Sequence, residues 1–296
     1  GAGSSLAAAL SGSVPAEYDA SNETTYVKMR KFVFGFQAGF DGQSPAIPIN
    51  VGGDIIAGNT QGLNCTNSTT AGSVAYKQCI GALSNADEFD INLIVVPGIL
   101  HQYHSYITNL VVDMCEQRGD VFFIMDSYSD DGNPSAGQIP EVTGYAAQFD
   151  TNYATTYYPW VKILDTNINK IITVPASVVM PAVYAANDKV AAPWYAPAGL
   201  NRGGIPNAVG VTDRTTHSER DELYEGKVNP IAIFPGEGVA VWGQKTLQDK
   251  DSALNRINVQ RLMIDLKKYF ASTSKWLLFE QNTAETRNRF LALVNP

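Results

Sequence analysis

The chain has 296 residues, of which 45% are hydrophobic, enough to bury a full core in one large domain or two ordinary ones. Its formal net charge of −8, from 29 acidic and 21 basic residues, argues against a nucleic-acid surface, because such surfaces need clustered lysine and arginine. Its three cysteines form no CxxC pair, which argues against a disulfide framework or a zinc site and favours a reducing, cytosolic compartment.

The N-terminal section, residues 1–85, is predicted to be loop-rich. Residues 31–42 ("KFVFGFQAGFDG") predict a strand that ends at an Asp-Gly turn, and the Gly, Asn, Thr and Ser content up to about residue 70 indicates loop. Apolar spacing in "SVAYKQCIGALS" then predicts one helix. No apolar run approaches the roughly 20 residues that span a bilayer, so we expect no membrane insertion.

A strand–helix–strand unit follows. Residues 91–98 ("INLIVVPG") are continuously apolar, which predicts a central parallel strand that is buried on both faces and ends at its Pro-Gly pair. The next segment has helical apolar spacing and is expected to end at Gly119. "DVFFIMDSY" (120–128) then predicts a second buried strand, so the segment indicates a βαβ crossover.

The middle of the chain predicts further short strands and long connections. Residues 155–165 and 171–180 contain strand-like pieces, and a helix is expected after Pro175. Residues 187–210 are rich in Gly, Pro and Ala and indicate a connection. A short helix should follow, with Ser218 as its N-cap.

Residues 235–246 ("PGEGVAVWGQKT") resemble a phosphate-binding loop at first sight. In that motif the lysine directly follows the second glycine, whereas here Gln244 separates Gly243 from Lys245. The residues between the glycines prefer a strand. We therefore expect neither ATP nor any other cofactor at this stretch.

A two-strand hairpin is the better interpretation of the same residues. It should turn at Pro235 and Gly236, while Gly238 and Gly243 would permit tight turns or close backbone approach. Trp242 would anchor the core.

The C-terminal part predicts a long helix capped by Ser252, a strand at "WLLFEQN", and a closing helix capped by Thr283. Taken together, the pattern predicts an α/β protein. Its mixed sheet core should have flanking helices, with a partial, loop-rich section at its N-terminus.

Two histidines, His101 and His104, lie three residues apart at a strand–helix junction. A helical pair could chelate a metal, but no third ligand lies nearby in the sequence, so a structural pair is favoured and no metal site is predicted.

The acidic turn "DSYSDDG" (126–132) follows a predicted strand, where α/β enzymes place their ligands. A solvated turn is the simpler interpretation. The alternative is an α/β hydrolase or metal-dependent enzyme that uses Asp126, Asp130, Asp131 and His101. Pairing of Asp126 with Glu280 stays open, but no GxSxG nucleophile turn is present.

Arginines beside asparagines mark two further segments, "NRGG" (201–204) and "LNRINVQRL" (254–262). Binding of a substrate is possible, but a structural or interface role is the more common one for such residues. The candidates are Arg202, Arg256 and Arg261.

The order of several blocks resembles the tail sheath proteins of contractile-tailed bacteriophages. The blocks are "YYPWVKILD", "VPASVVMPAVYAANDKVAAPWYAPAGLNRGGI", "DELYEGKVNPIAIFPGEGVAVWGQKTL", "LNRINVQRLMIDLKKY" and "WLLFEQNTAETRNRF". The resemblance is strong from about residue 86 to 295 and looser from 31 to 85, and it implies a sheath core domain over residues 86–296 that lacks its final C-terminal strands. The sheaths of pyocins and type VI-like injection machines share the same mechanism and are an alternative.

The resemblance implies a structural protein and not an enzyme. Copies would polymerise around a tail tube protein, meet baseplate and tail terminator proteins, and contract to drive the tube through the host envelope for genome ejection. The implied location is the virion tail, with assembly in the host cytoplasm. Nucleic acid is not an expected partner.

Family members usually continue into further strands, so the chain is expected to be a truncated fragment that lacks terminal segments and is monomeric. The family's closing helix region faces the tube, which implies tube-facing or intersubunit roles for basic residues there. These are Lys267, Lys268, Lys275, Arg287 and Arg289.

Overall fold

Strands and helices alternate through the part of the chain that the structure, a computed structural model, describes: residues 54–129, 138–166 and 169–295. The helices are α1 (Ala71–Leu83), α2 (His101–Arg118), α3 (Gln138–Ala146), α4 (Ala176–Val190), α5 (His217–Glu225), α6 (Ile257–Ser274) and α7 (Ala284–Val294). The strands are β1 (Leu93–Leu100), β2 (Phe122–Asp126), β3 (Ala154–Tyr158), β4 (Val161–Asp165), β5 (Lys170–Val174), β6 (Ala208–Val211), β7 (Val228–Phe234) and β8 (Gly238–Val241). The strand predicted over 31–42 lies outside the described residues.

The main sheet has five strands in the order β1-β2-β3-β7-β8. The first four run parallel, and β8 returns antiparallel to β7 as the predicted hairpin. Helix α2 connects the parallel pair β1 and β2, which confirms the predicted βαβ unit. Gly119 ends α2 in the left-handed conformation (φ 68°), which confirms the predicted stop.

The two faces of the sheet carry two separate hydrophobic cores, and strand β2 contributes to both. Phe123 and Met125 pack in the core that contains residues of α2, whereas Phe122 and Ile124 pack in the core that contains residues of α4 and α6. All four side chains are at most 2% exposed. Because side chains alternate along a strand, one apolar run places side chains on both faces of the sheet. Burial of each such side chain contributes roughly 1.5–3 kcal/mol to the free energy of folding.

A second, antiparallel sheet has the order β5-β4-β6. Strands β4 and β5 and helix α4 follow the predicted pattern. The prediction missed β6, because residues 187–210 looked like a connection and the Gly-containing strand "AVGV" has little local strand signal.

Strand β1 is not the central strand that its apolar sequence predicted. Among the strands that the structure describes, it lies at an edge of the main sheet and continues past Pro97 to Leu100, with an irregular register between Val95 and Leu100. A proline is tolerated in an edge strand because the N–H that it lacks is not needed for hydrogen bonds to a neighbouring strand. Gly98 has a φ of 91°, which suits the irregularity.

Two helix starts differ from the predictions. Helix α5 is capped by Thr216 and not by Ser218, because Thr216 and Glu219 form a reciprocal capping box. Ser252 begins only a short 3₁₀ turn, and α6 starts after Arg256, whose extended backbone pairs with Lys245. Thr283 does cap α7, as predicted, and accepts from the backbone N–H of Thr286.

The strand predicted at "WLLFEQN" is wrong. Residues Lys275–Leu277 form a 3₁₀ turn, and an irregular segment continues to α7. Its apolar side chains are largely exposed, with Trp276 80% and Leu278 64% exposed, and no strand of the described residues pairs with this segment. Strand geometry requires a pairing partner, which an apolar run alone does not supply.

Candidate functional site

A buried asparagine hydrogen-bonds the backbone of the stretch that resembled a phosphate loop. The side chain of Asn229, on β7, accepts a hydrogen bond from the N–H of Lys245 (2.6 Å) and donates to the C=O of the same residue (2.8 Å). Its amide also donates to the hydroxyl of Thr155 (2.8 Å). A Cβ at Gly243 would lie 2.8 Å from the Asn229 oxygen. The N–H of Lys245 is therefore occupied within the fold.

Trp242 does not anchor the core, contrary to the prediction. It follows the end of β8, is 44% exposed, and packs its ring on Phe234 with the centroids 4.6 Å apart. Val239 and Val241 supply the buried side chains of this strand. Gly243 makes the close backbone approach that was predicted, and Gly238 (φ 87°) forms part of the predicted turn.

Asp126, the first carboxylate of the acidic turn, is buried and 5% exposed. It accepts hydrogen bonds from the backbone N–H of Ser177 (3.1 Å) and from the Ser177 hydroxyl, at the start of α4. Burial raises the pKa of Asp126 to about 7, against the lowering effect of these bonds. This carboxylate therefore ties β2 to α4, whereas Glu280 is exposed near α7. Asp130 and Asp131 lie outside the described residues.

Both histidines at the start of α2 are hydrogen-bonded within the fold, as predicted for a structural pair. The ring nitrogens of His101 contact the Thr108 hydroxyl (2.7 Å) and the Gln148 side chain (3.0 Å). Nδ1 of His104 accepts from the Leu100 N–H (3.1 Å). Burial lowers the pKa of both rings.

The described ranges contain no cluster of three or more potential metal ligands and no helix long and apolar enough to cross a membrane.

The predicted basic candidates divide into those that hold elements of the fold together and those that lie exposed on its surface. Lys267 of α6 donates to the C=O of Gly119 (3.1 Å) and to the hydroxyl of Tyr153 (2.5 Å). Lys268 donates to Asp90 (2.5 Å) and to the C=O of Ile91 (2.7 Å). Both lysines therefore hold α6 against preceding parts of the fold.

Arg261 and Arg202 also contact their own chain. Arg261 is 8% exposed, forms a two-point ion pair with Asp188, and places its guanidinium 4.8 Å from the Tyr184 ring centre. Arg202 donates to the C=O of Ala196 (3.2 Å). Arg261 thus connects α6 to α4, which is the structural role that buried arginines commonly have.

Arg256 belongs to a cluster with Lys245 and Tyr224. The ammonium of Lys245 lies 4.4 Å from the Tyr224 ring centre, and the Arg256 guanidinium lies 5.8 Å from it. Arg256 also donates to the Tyr224 hydroxyl. Burial and then the nearby Arg256 charge lower the pKa of Lys245, while Glu225 and Asp251 oppose this effect. The three half-buried side chains meet from three separate elements.

Three basic candidates remain on the surface of the C-terminal segment. Lys275 is 66% exposed at its side chain, with its ammonium 3.8 Å from Asp87. Arg287 and Arg289 are exposed on α7. Arg289 lines a surface cleft of about 320 Å³ together with Glu280 and Glu285. The structure therefore places these charges where a partner surface could reach them.

Two features of the site were missed from the sequence. The Asn229 network gave no local signal, because an isolated asparagine in a strand does not show which backbone it will contact. The exposed apolar side chains of Trp276, Leu278 and Phe279 were read as part of a strand. Their adjacent aromatic and aliphatic residues were visible in the sequence, but their exposure depends on what packs beside them.

Comparison with known proteins shows that the chain is similar to phage tail sheath proteins. A family model described as "Phage tail sheath protein central domain" matches residues 70–247. The chain is 37% identical over 167 residues to the tail sheath protein of Vibrio phage KVP40, which covers 53% of this chain and 24% of that protein. It is 38% identical over 117 residues to the tail sheath protein of Enterobacteria phage T4, which covers 40% of this chain and 18% of that protein.

Solved structures agree on the fold. The sheath complex of an extracellular contractile injection system, PVC, in its contracted state has a TM-score of 0.59 at 27% identity, over 73% of this chain and 56% of that one. The baseplate of the anti-feeding prophage has a TM-score of 0.58 at 22% identity, over 73% and 54% of the two chains. The chain thus spans well under two thirds of the proteins it matches, and about a fifth to a quarter of the KVP40 and T4 proteins.

Proposed function

This chain belongs to the phage tail sheath protein family, and we propose that it is a structural subunit of a contractile phage tail sheath. The family model spans residues 70–247, more than half of the chain, and this match carries the proposal. Copies of the subunit would polymerise around a tail tube in the virion tail. They would contract to drive the tube through the host envelope, with assembly in the host cytoplasm.

A non-enzymatic role follows from this proposal. Asp126, the acid of the alternative enzyme hypothesis, has both carboxylate oxygens bonded to Ser177 and is shielded from solvent. Such a group holds two elements together and is not open to a substrate. The relatives are each named tail sheath protein, and these names support a structural role over the alternative hypothesis of a hydrolase.

The likeness to the contracted PVC sheath supports a mechanism shared with other contractile injection systems. The higher identities, 37% and 38%, are to phage proteins, and for this reason we propose a phage sheath. Tail tube, baseplate and tail terminator proteins are the proposed partners besides further copies of the chain.

Assembly is the first property to test. We expect the complete protein, expressed with any sequence that flanks residues 1–296 in its gene, to form tubes or stacked rings as its concentration rises, because sheath subunits associate through many copies of one contact. Negative-stain electron microscopy and light scattering would measure this, with the 296-residue chain beside it. If the complete protein stays monodisperse at every concentration and salt tested, the sheath proposal is wrong.

The tube-facing role of the C-terminal charges is a separate prediction. Reversing Arg287 and Arg289 to glutamate should weaken attachment of assembled sheath to purified tail tubes, since attraction between complementary surfaces becomes repulsion. Both side chains are exposed, so we expect the free energy of unfolding to change by less than about 0.5 kcal/mol.

Co-sedimentation with tubes at several salt concentrations would measure the attachment. A control variant replaces Lys77 and Lys170 with glutamate, which changes the net charge by the same amount at two other exposed positions. Equal attachment of both variants would show that α7 does not face the tube.

A further inference from the structure

The cluster of Lys245, Tyr224 and Arg256 combines two cations that the fold holds close together. The backbones of Lys245 and Arg256 pair as an isolated antiparallel bridge, so the two residues are direct neighbours. The backbone of Lys245 is fixed again by its two hydrogen bonds with Asn229. Their positions are therefore set by the fold and not by their own attraction, because like charges repel.

Tyr224 contacts both cations. Its ring lies 4.4 Å from the Lys245 ammonium, and its hydroxyl accepts from Arg256. An aromatic face attracts a cation but leaves most of its charge uncompensated. Among the described residues, no carboxylate lies within 4.0 Å of either cation, whereas Lys227, Lys268 and Arg261 each have at least one.

The surroundings add little negative charge at this point. Glu225 and Asp251 act on Lys245 only at longer range, and their combined influence does not reverse the lowering of its pKa. Arg256 is also the N-cap of α6 and offers no side-chain acceptor to that helix. The partial positive charge of the helix start therefore adds to the two cations.

We propose that Lys245 and Arg256 bind a carboxylate side chain presented by an adjacent copy of this chain. The proposal rests on the proposed function, because it requires copies in contact. A half-buried, pre-positioned cation pair fits a carboxylate, since little side-chain entropy remains to be lost on binding. The chain has 29 acidic residues and a net charge of −8, so its own surface supplies such groups.

The test uses the complete protein in its assembled form. Lys245→Gln should raise the concentration needed for assembly at least 10-fold and should weaken its dependence on salt, while Lys245→Arg should keep assembly near the wild type. Lys250→Gln is the matched control, because it removes the same charge from an exposed neighbour. Circular dichroism and thermal unfolding would establish that each monomer is folded.

A zero-length carbodiimide cross-link identifies the partner directly, because it joins an amine only to a carboxylate in contact with it. Assemblies of mixed ¹⁴N- and ¹⁵N-labelled chains should yield a mixed-isotope peptide pair at Lys245 by mass spectrometry. Equal assembly of Lys245→Gln and wild type, or cross-links from Lys245 only to its own Glu225 or Asp251, would overturn the inference and leave the sheath proposal standing. Failure of the wild type to assemble would instead overturn the sheath proposal.

Discussion

Replacing Asn229 with alanine should lower the free energy of unfolding by about 3 kcal/mol, because the substitution breaks a buried network that joins three segments. The asparagine is completely buried, and its side chain connects Lys245 to Thr155. Alanine leaves the N–H of Lys245 without its acceptor in a part-buried site. An unpaired buried group of this kind costs roughly 1–3 kcal/mol, and the lost bonds of the amide add to it.

Urea unfolding, followed by circular dichroism, would measure the change. Asn109→Ala is the control: it makes the same substitution on the exposed face of α2 and should change stability by less than about 0.5 kcal/mol. A loss below about 1 kcal/mol for Asn229→Ala would mean that water or a local shift replaces the network. In that case Asn229 would not be what holds residues 243–245 against β7.

Asp126→Asn should make the protein more stable than the wild type above neutral pH. The pKa of Asp126 is about 7 in the fold against an ordinary value of 3.8, so between these values the folded chain holds a proton that the unfolded chain has lost. Wild-type stability therefore falls as pH rises towards 7 and then levels off. The amide cannot ionise, but it can still accept from the Ser177 N–H and donate to the Ser177 hydroxyl.

The stability difference between Asp126→Asn and the wild type should grow by about 2 kcal/mol between pH 5.5 and 8.5, since one pKa unit corresponds to about 1.4 kcal/mol. Urea midpoints across this range would measure it. Asp126→Ala separates charge from hydrogen bonding, because it removes the acceptor and should destabilise the fold at every pH. Parallel pH curves for Asp126→Asn and the wild type would contradict an effect of burial on this carboxylate.

Local patterns in the sequence predicted a large part of the fold. The apolar run of β2, the helical spacing of α2 and the glycine that ends it are signals within a few residues, and the structure confirms all three. The hairpin of β7 and β8 was predicted for the same reason, since its turn glycines lie between two strand-like runs. The family resemblance, from blocks in a fixed order, agrees with the match over residues 70–247.

Short-range patterns failed where a role depends on distant neighbours. The sequence of β1 reads as a central strand, but strand order is set by which segments pair, and its pairing leaves it at an edge. The apolar run at Trp276 found no partner strand in the described chain and stayed exposed. Periodicity reports which faces are apolar but not what covers them.

The basic residues show the same limit most clearly. The sequence identified most of them as candidates for contact with partners, but only the tertiary structure separates those that hold the fold together from those that lie exposed on its surface. Arg261 meets Asp188 across 73 positions, and Lys268 meets Asp90 across 178. Arg287 and Arg289 remain exposed, and Lys245 and Arg256 share one tyrosine. Charge pairing is a property of distances in space, and these arise only when the sheet and its helices have packed.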